Sequence, residues 1–456
     1  MKIYLIELRD PRRGLASSYL NSLMLPILAV WAERLGWKAE VSFTQFEKID
    51  YERDCDVVAL SLYTFLAPQG YLVAQRFRER GKVVIIGGPH TKGCLEEVRD
   101  HANMVFDRCD EQAWGRALQA IREKQITAQT SPGVFFPSPE MSVIPSYLEI
   151  KRFYGNDKIP LLLASLGCPH DCEWCTDWNS TYRKRDVDDV MEDVRNISAK
   201  FFVFADPNFG VNRKFTSQLL VKMIPLKKKY LMETSLVWLL DDEFLRLLKE
   251  SGCIGVEIGL ESLTADYNKN AMKKVDSKLE EAILRMERIK KYIQLIQVNI
   301  VLGLDEDTPE TFRLVAELYR RSKIDTLGLH IVTPFPGTPF FDRMRADGRI
   351  VDTDWSNFNC ETLTIRLKNM EVSRFHDLYI QLRKEINSPW LVLRKTIAHF
   401  RQYRDIGMTY LVFRVLAYRS WYSFRHDIPL VRRAKRRWQE RTAAAALEES
   451  LPSVVG

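Results

Sequence analysis

The chain has 456 residues, 46% of them hydrophobic and 28% charged, a balance that predicts a globular protein of two or three packed units and excludes wholesale disorder or a multispanning membrane protein. No run approaches the roughly 18 apolar residues of a spanning helix, and Glu7 and Arg9 interrupt the opening apolar stretch before a signal-peptide core forms, so a cytoplasmic protein is expected. Eight cysteines are too sparse for a secreted disulfide scaffold. The formal charge of +7 is uneven, because residues 391–439 hold twelve Lys and Arg against two Asp.

In chain order, residues 3–6, 39–43, 57–62, 83–86 and 104–106 are short apolar runs that predict strands covered on both faces. Residues 23–35, 70–80 and 112–122 carry helical spacing, the first with Pro26 near its start. This alternation predicts an α/β domain over residues 1–126, a doubly wound, flavodoxin-like parallel sheet. The Pro-, Ser- and Thr-rich stretch that follows predicts an extended linker over residues 127–155. Strands are then expected at 159–165, 201–204, 235–238, 255–259, 297–302 and 326–331, with helices over 242–249, 277–290 and 309–320. Six such units over residues 156–345 predict a partial (β/α)6 barrel whose site lies at the C-terminal strand ends. Residues 346–456 predict a C-terminal helical region, beginning with a helix at 372–385 and ending in the basic, aromatic tail.

The strongest chemical signal is residues 161–177, LLLASLGCPHDCEWCTD, where an apolar strand runs into a loop with cysteines spaced C-x3-C-x2-C. Thiolates are the ligands of iron–sulfur clusters, and three on one compact loop can converge on a cubane while leaving one iron open to a small chelating amino acid. The alternative is a zinc site completed by His170 or a remote cysteine. Zinc loops usually pair two C-x2-C units, and no second pair follows, since Cys253 and Cys360 are isolated. Those two, with Cys55, Cys94 and Cys109, are expected to be small buried or surface residues.

This loop, with Trp174 just before its last cysteine, resembles the radical S-adenosylmethionine (SAM) superfamily. The resemblance implies a [4Fe-4S] cluster on Cys168, Cys172 and Cys175, SAM at the open iron, and an electron donor such as flavodoxin or ferredoxin whose electron yields a 5′-deoxyadenosyl radical. VFADPNFGVN puts Asp206 and Asn208 where the family has an acidic-Asn-aromatic turn beside SAM; a plain strand-to-helix turn would have the same sequence. SGCIGVEIGLESLTADYNKNAMKK resembles the fourth barrel strand, implying that Glu261 faces the polar part of SAM, with Glu257 on the same strand face as its competitor. VNIVLGLDEDTPETF resembles the fifth, with Asn299 toward SAM, Gly303 allowing close approach and Asp307 or Thr308 capping a helix. LHIVTPFPGTPFFDRM matches the sixth strand of the branch that carries a cobalamin-binding domain before the barrel.

The domain order resembles that branch to about residue 390. In the front domain the matching motifs are DVVALSLYT and KVVIIGGPHT, implying that Ser61, Thr64, Gly87 and Gly88 face cobalamin at strand ends. Gly87 and Gly88 could also simply make a turn, and His90 is expected to be a hydrogen-bonded structural residue. Three features depart from the pattern. There is no D-x-H-x-x-G, so no histidine ligand to cobalt is expected; Arg108, Cys109, Asp110 and Glu111 stand where the family often has Gly-Glu-Gly-Glu; and Arg13-Gly14 followed by LASSYLNS is a thin glycine approach to the first helix.

The branch includes enzymes acting on hopanoids and on porphyrin-type pigments, implying cobalamin-dependent methylation of an unactivated carbon in a small or lipid-like substrate. Oxidative cyclisation or rearrangement is the alternative within this chemistry, and a non-catalytic metal-binding module recruiting RNA or membrane is the alternative from another class. The tail interleaves Arg with Trp390, Phe400, Tyr403, Tyr410, Phe413, Tyr418, Trp421, Tyr422, Phe424 and Trp438. That mix suits peripheral contact with the inner membrane, RNA stacking, an acidic electron-transfer partner, or a helical domain with a solvated basic face. Nucleic acid is not an expected partner.

Overall fold

The computed structural model describes residues 1–9, 22–44, 48–130, 133–137, 143–153, 159–263 and 279–450, with side chains to residue 440. The Arg13-Gly14 approach and residues 264–274 of the fourth-strand motif lie outside the described residues. Two compact units divide the chain, the first being Met1–Glu257 with Pro334–Arg343 and Asp354–Ser356, the second Ile258–Thr333, Met344–Thr353 and Asn357–Gly456.

The first unit opens with β1 (Lys2–Glu7), α1 (Met24–Arg34), β2 (Lys38–Phe43), β3 (Val57–Ser61), α2 (Ala67–Arg78), β4 (Val83–Gly87), α3 (Leu95–His101), β5 (Met104–Val105), α4 (Glu111–Arg122) and β6 (Val134–Phe135). The strands form one parallel sheet in the order β2-β1-β3-β4-β5-β6. Alternation along each strand splits its side chains between two cores. Ile3, Leu5, Val57, Ala59 and Ile85 pack with Trp31 of α1 and Trp114 of α4, whereas Tyr4, Ile6, Val58, Leu60 and Ile86 pack with Phe77 of α2 and Val98 of α3. Each such fully buried large apolar side chain contributes about 1.5–3 kcal/mol. The order reverses between β1 and β3, and ligands of doubly wound sheets bind outside the strand ends at that switch point.

The sheet has six strands rather than the expected five. β6 falls inside the segment expected to be linker, and two residues are too short to show a pattern. Buried Asn103 secures it: its side chain accepts from Val84 N (2.8 Å) and donates to Ala128 O (3.0 Å) and Thr130 O (2.8 Å). The same segment holds the short helix α5 (Tyr147–Ile150), closed by a Ser146/Glu149 capping box.

Next come β7 (Leu161–Leu162), β8 (Ser165–Leu166), β9 (Arg183–Lys184), α6 (Val187–Asn196), β10 (Phe201–Phe204), α7 (Arg213–Met223), β11 (Lys229–Ser235), α8 (Asp242–Ser251) and β12 (Cys253–Glu261). After β12 follow α9 (Leu279–Lys290), β13 (Leu295–Leu302), α10 (Pro309–Arg321), β14 (Thr326–Ile331) and α11 (Pro339–Ala346). The second sheet has the order β14-β13-β12-β11-β10-β7, which is the expected six-stranded barrel sheet.

Two strands sit differently from expectation. The run at 159–165 splits into β7 and β8 because a carboxylate takes the backbone N–H groups of Ala164 and Ser165. The strand expected at 235–238 lies earlier, as β11, and Leu236–Leu239 forms a 3-10 turn with Leu236 and Leu239 buried at its three-residue period.

In the second unit, α12 (Val372–Ile386), α13 (Pro389–Tyr403), α14 (Ile406–Tyr422), a π-helical turn (Ser423–Asp427) and α15 (Ile428–Ser450) form the helical C-terminal region. Among the described residues, no helix is long and apolar enough to cross a membrane.

Candidate metal centre and cofactor site

The cysteine loop is built from its ends inward. β8 and β9 pair antiparallel, Ser165 opposite Lys184 and Leu166 opposite Arg183, and so pinch the loop between them. Gly167 opens it at φ +69°, where a Cβ would stand 2.3 Å from Thr181 O, so glycine alone fits. Successive turns coil the chain: Cys175 N donates to Cys172 O (3.0 Å), Trp178 N to Cys175 O (3.0 Å) and Ser180 N to Asp177 O (3.1 Å). The Cys168 N–H donates to Ser180 Oγ (3.1 Å).

Two of the predicted SAM residues support this loop. Asp206, at the end of β10, is buried and takes Ala164 N (2.8 Å), Ser165 N (2.5 Å) and Ser165 Oγ (2.5 Å). Burial pushes its carboxyl up to about 6. These contacts put it at the root of the cysteine loop. Asn208 donates to Cys168 Sγ (3.4 Å) and to Ser235 Oγ (3.2 Å), while its Oδ1 accepts from Ser235 N (3.1 Å). The neighbouring Phe209 stacks on Phe204 at 4.6 Å, which fixes the turn that carries both residues.

Three thiols on one compact loop are the ligand set of an iron–sulfur cluster with one open iron. Burial, first, and then Asp177, Cys172 and Cys168 push the Cys175 thiol up to about 12, so ionising these groups together calls for a compensating cation. Elsewhere among the described residues, His90, Cys94 and Glu97 bring ligand atoms within 4.8 Å of one another. His170, the candidate fourth zinc ligand, stacks against Trp238 at 6.3 Å.

At the C-terminal ends of β3 and β4 lies a cavity of about 340 Å³. Ser61, Gly87 and Gly88, three of the residues expected to face a cofactor at strand ends, line it, together with Gly167, Asp177 and Ser180 of the cysteine loop. Gly88 has φ +107°, and a Cβ there would meet Leu62 N and O at 2.7 Å. Thr91 Oγ1 pins the turn by donating to Gly88 O and Phe106 O, both at 2.7 Å. Thr64 differs from its expected place: it is buried at the start of a 3-10 turn, and Tyr63 lines the cavity instead. Lys92 and Arg108 line it as well, and Lys92 Nζ donates to Thr176 O (2.8 Å), tying the front domain to the cluster loop. Sequence reasoning did not single out Tyr63, which lies inside DVVALSLYT, or Lys92, which directly follows KVVIIGGPHT, and took Arg108 only as a departure. A glycine-floored cavity at the C-terminal strand ends, lined also by the cysteine loop, lies where such sheets take their ligands. His90 is the expected structural residue, fully buried with Nε2 2.8 Å from Tyr71 OH.

Glu257 lies in the first unit, and the other two predicted SAM residues lie in the second. Glu261 ends β12 with φ +67°, a strained conformation for a non-glycine residue and a common mark of functional strand ends. Asn299 on β13 pairs in register with Gly328 on β14, and a Cβ on Gly328 would stand 2.1 Å from Asn299 Oδ1. Gly328, also missed in the sequence, therefore makes room for the Asn299 side chain. Thr308 caps α10 with Thr311 in a capping box, while Asp307 accepts from Gly303 N (2.7 Å) and Leu304 N (3.1 Å).

Residues 162–319 match the family model described as the Radical SAM superfamily. The chain is 26% identical over 354 residues to bacteriochlorophyllide d C-12(1)-methyltransferase of Chlorobaculum tepidum, covering 75% of this chain and 76% of the relative. It is 25% identical to the hopanoid C-2 methylase of Rhodopseudomonas palustris, covering 64% of this chain and 58% of that protein. Its fold resembles the radical SAM methyltransferase TsrM of Kitasatospora setae, solved with cobalamin and a [4Fe-4S] cluster, at a TM-score of 0.61 and 17% identity over 76% of this chain and 75% of that one. Cysteine loop, barrel sheet and family match agree on a radical SAM domain over residues 162–319, in a chain whose fold resembles that of solved enzymes with a front domain before the barrel.

Proposed function

We propose that the protein is a cobalamin-dependent radical SAM methyltransferase acting on an unactivated carbon of a tetrapyrrole or lipid-like substrate. The observation that carries this reading is the single cavity lined both by the ends of β3 and β4 and by the cysteine loop. Cys168, Cys172 and Cys175 would hold the cluster, and Ser61, Gly87, Gly88, Lys92 and Arg108 would hold cobalamin. Bound together, cluster, SAM and cobalamin supply the electron, the hydrogen-abstracting radical and the methyl group. The chain's part is placement. Asn208 orients the Cys168 sulfur, Asp206 fixes the strand entering the loop, and Glu261 and Asn299 offer an acidic acceptor and an amide to the polar groups of SAM. The two relatives act, by their names, on a chlorophyll-type pigment and a hopanoid, which supports an apolar polycyclic substrate. A low-potential donor such as flavodoxin or ferredoxin would reduce the cluster.

Anaerobically reconstituted protein, given reductant, SAM, methylcobalamin and bacteriochlorophyllide d or a hopanoid, is expected to release 5′-deoxyadenosine and S-adenosylhomocysteine and to add 14 mass units, about one methylene, to the substrate. Release of 5′-deoxyadenosine with loss of hydrogen from the substrate and no added methyl would make it a cyclase or dehydrogenating enzyme. A fully loaded cluster that never yields 5′-deoxyadenosine with any of these substrates would remove the radical reading.

A further inference from the structure

Helices α13 and α14 are fastened to the second unit along one side only. Buried Lys395 donates to Ser322 O (3.0 Å) and Ile324 O (2.7 Å), Tyr403 OH to Lys290 O (2.7 Å), Arg419 to Gln297 Oε1 (2.9 Å) and Ser420 Oγ to Asn387 O (2.5 Å). Val392, Val412 and Leu416 form a small core on the same side.

The opposite side is apolar and open to solvent. Along α13, Trp390, Leu393, Ile397 and Phe400 recur every three or four residues and are all exposed, Trp390 at 71%. Along α14, Ile406, Tyr410 and Phe413 do the same, with Ile406 at 76%, and after a gap of two turns Trp421 and Phe424 are exposed at its end and in the π-helical turn. Single exposed apolar residues are ordinary, but one full helical stripe beside an interrupted second one marks a surface that meets something.

Charge identifies what it meets. Arg401 and Arg404 flank the first stripe and Arg414 and Arg425 the second, all exposed, while Arg394 donates to Arg320 O (2.6 Å). Arg414 lies over the Tyr410 ring and Arg425 over that of Trp421, so the cations ride at the edge of the aromatic band. Neither acid of the region offsets them at the surface, since Asp405 caps α14 through Met408 N (2.9 Å) and Asp427 pairs with Arg383 (2.6 Å). Farther on, Arg432, Lys435 and Arg436 line a groove with Lys384 and Asp377, the last paired with Lys435 (2.6 Å).

We propose that α13 and α14 form a docking surface for an anionic lipid bilayer, with the apolar stripes in the acyl boundary and the arginines among the headgroups. Neither helix is long and apolar enough to span, so the contact is in the plane of the interface. A second copy of this chain is the wrong occupant, because apposing two such faces would bring like charges together without acids to neutralise them. Single-stranded RNA fits less well, because Leu393, Ile397 and Ile406 interrupt the aromatic platform on which successive bases would stack. The proposal stands apart from the methylation reading.

The test is co-sedimentation of the full chain, cluster reconstituted, with vesicles of phosphatidylcholine alone or with phosphatidylglycerol added. Binding is expected only with the anionic lipid, reduced about tenfold by raising salt severalfold, in keeping with screening of surface charge. The double variant Ile397→Ser, Trp421→Ser should lose binding about tenfold, consistent with about 1.4 kcal/mol of lost apolar insertion, and Arg414→Glu, Arg425→Glu should lose it comparably. Both variants should keep the wild-type cluster spectrum and SAM cleavage, which separates failure here from failure of the enzymatic reading. A folded wild-type chain that ignores anionic vesicles, binds neutral ones equally, or is displaced from them by RNA overturns the proposal. So does a vesicle-free dimer abolished by the same substitutions.

Discussion

Single residues decide much of this site. Asp307 sits between the Gly303–Leu304 turn and α10, and burial, opposed by the two backbone N–H groups and reinforced by Glu306, pushes its carboxyl up to about 7. The folded state therefore keeps a proton that the unfolded chain has already given up. This contribution to stability is complete below the ordinary carboxylate range and is lost as pH rises through about 7. Denaturant titrations of wild type and Asp307→Asn across that range should diverge, the wild type alone losing a contribution of a few kcal/mol with rising pH. Gly328→Ala probes a different contact. The new Cβ would push Asn299 aside, so a stability loss of about 1–3 kcal/mol is expected, together with a raised KM for SAM and little change in kcat. An unchanged KM would leave Asn299 without its proposed role. Among single residues the sequence was informative where chemistry needs a particular type at a particular spacing, as with Cys168, Cys172, Cys175 and the Gly87-Gly88 pair. It was silent on Gly328 and Lys92, whose roles come from a neighbouring strand or loop, and it could not foresee that Asp206 bonds the strand before the loop.

At the scale of elements, alternation along β1, β3 and β4 was legible because each is four residues or longer and covered by helices on both faces. β6 was not, since its two residues owe their place to Asn103. The apolar LVWL run looked like strand because period two and period three cannot be told apart over four residues. The cysteine loop itself is an element with a lock at each end: the β8-β9 ribbon and the Gly167 turn. Gly167→Ala should break the second lock, since the chain would carry strain at positive φ and a contact of 2.3 Å with backbone. Iron and sulfide per chain after reconstitution should fall severalfold while thermal unfolding of the front domain, which the turn does not support, changes little. Full cluster loading in that variant would mean the loop reshapes around the metal.

At the scale of the molecule, the proposed function requires a methyl donor on the front sheet to meet a radical generated at the barrel sheet, and Lys92 is one link between the front domain and the cysteine loop. Lys92→Met would keep most of the side-chain volume and lose the bond to Thr176 O. Methylated product is expected to fall at least about tenfold, the equivalent of about 1.4 kcal/mol, while 5′-deoxyadenosine release continues, so turnover becomes uncoupled. Equal loss of both products would place Lys92 in holding the cluster loop rather than in relating it to the front domain. Leu161, Leu163 and Val203 of the second sheet belong to the same apolar core as Trp31, Trp114 and the inner face of the first. The front sheet and the opening barrel strands consequently do not behave as exchangeable modules: severing the chain after residue 126 should yield a fragment that precipitates, because the surface it bares was meant for its own continuation.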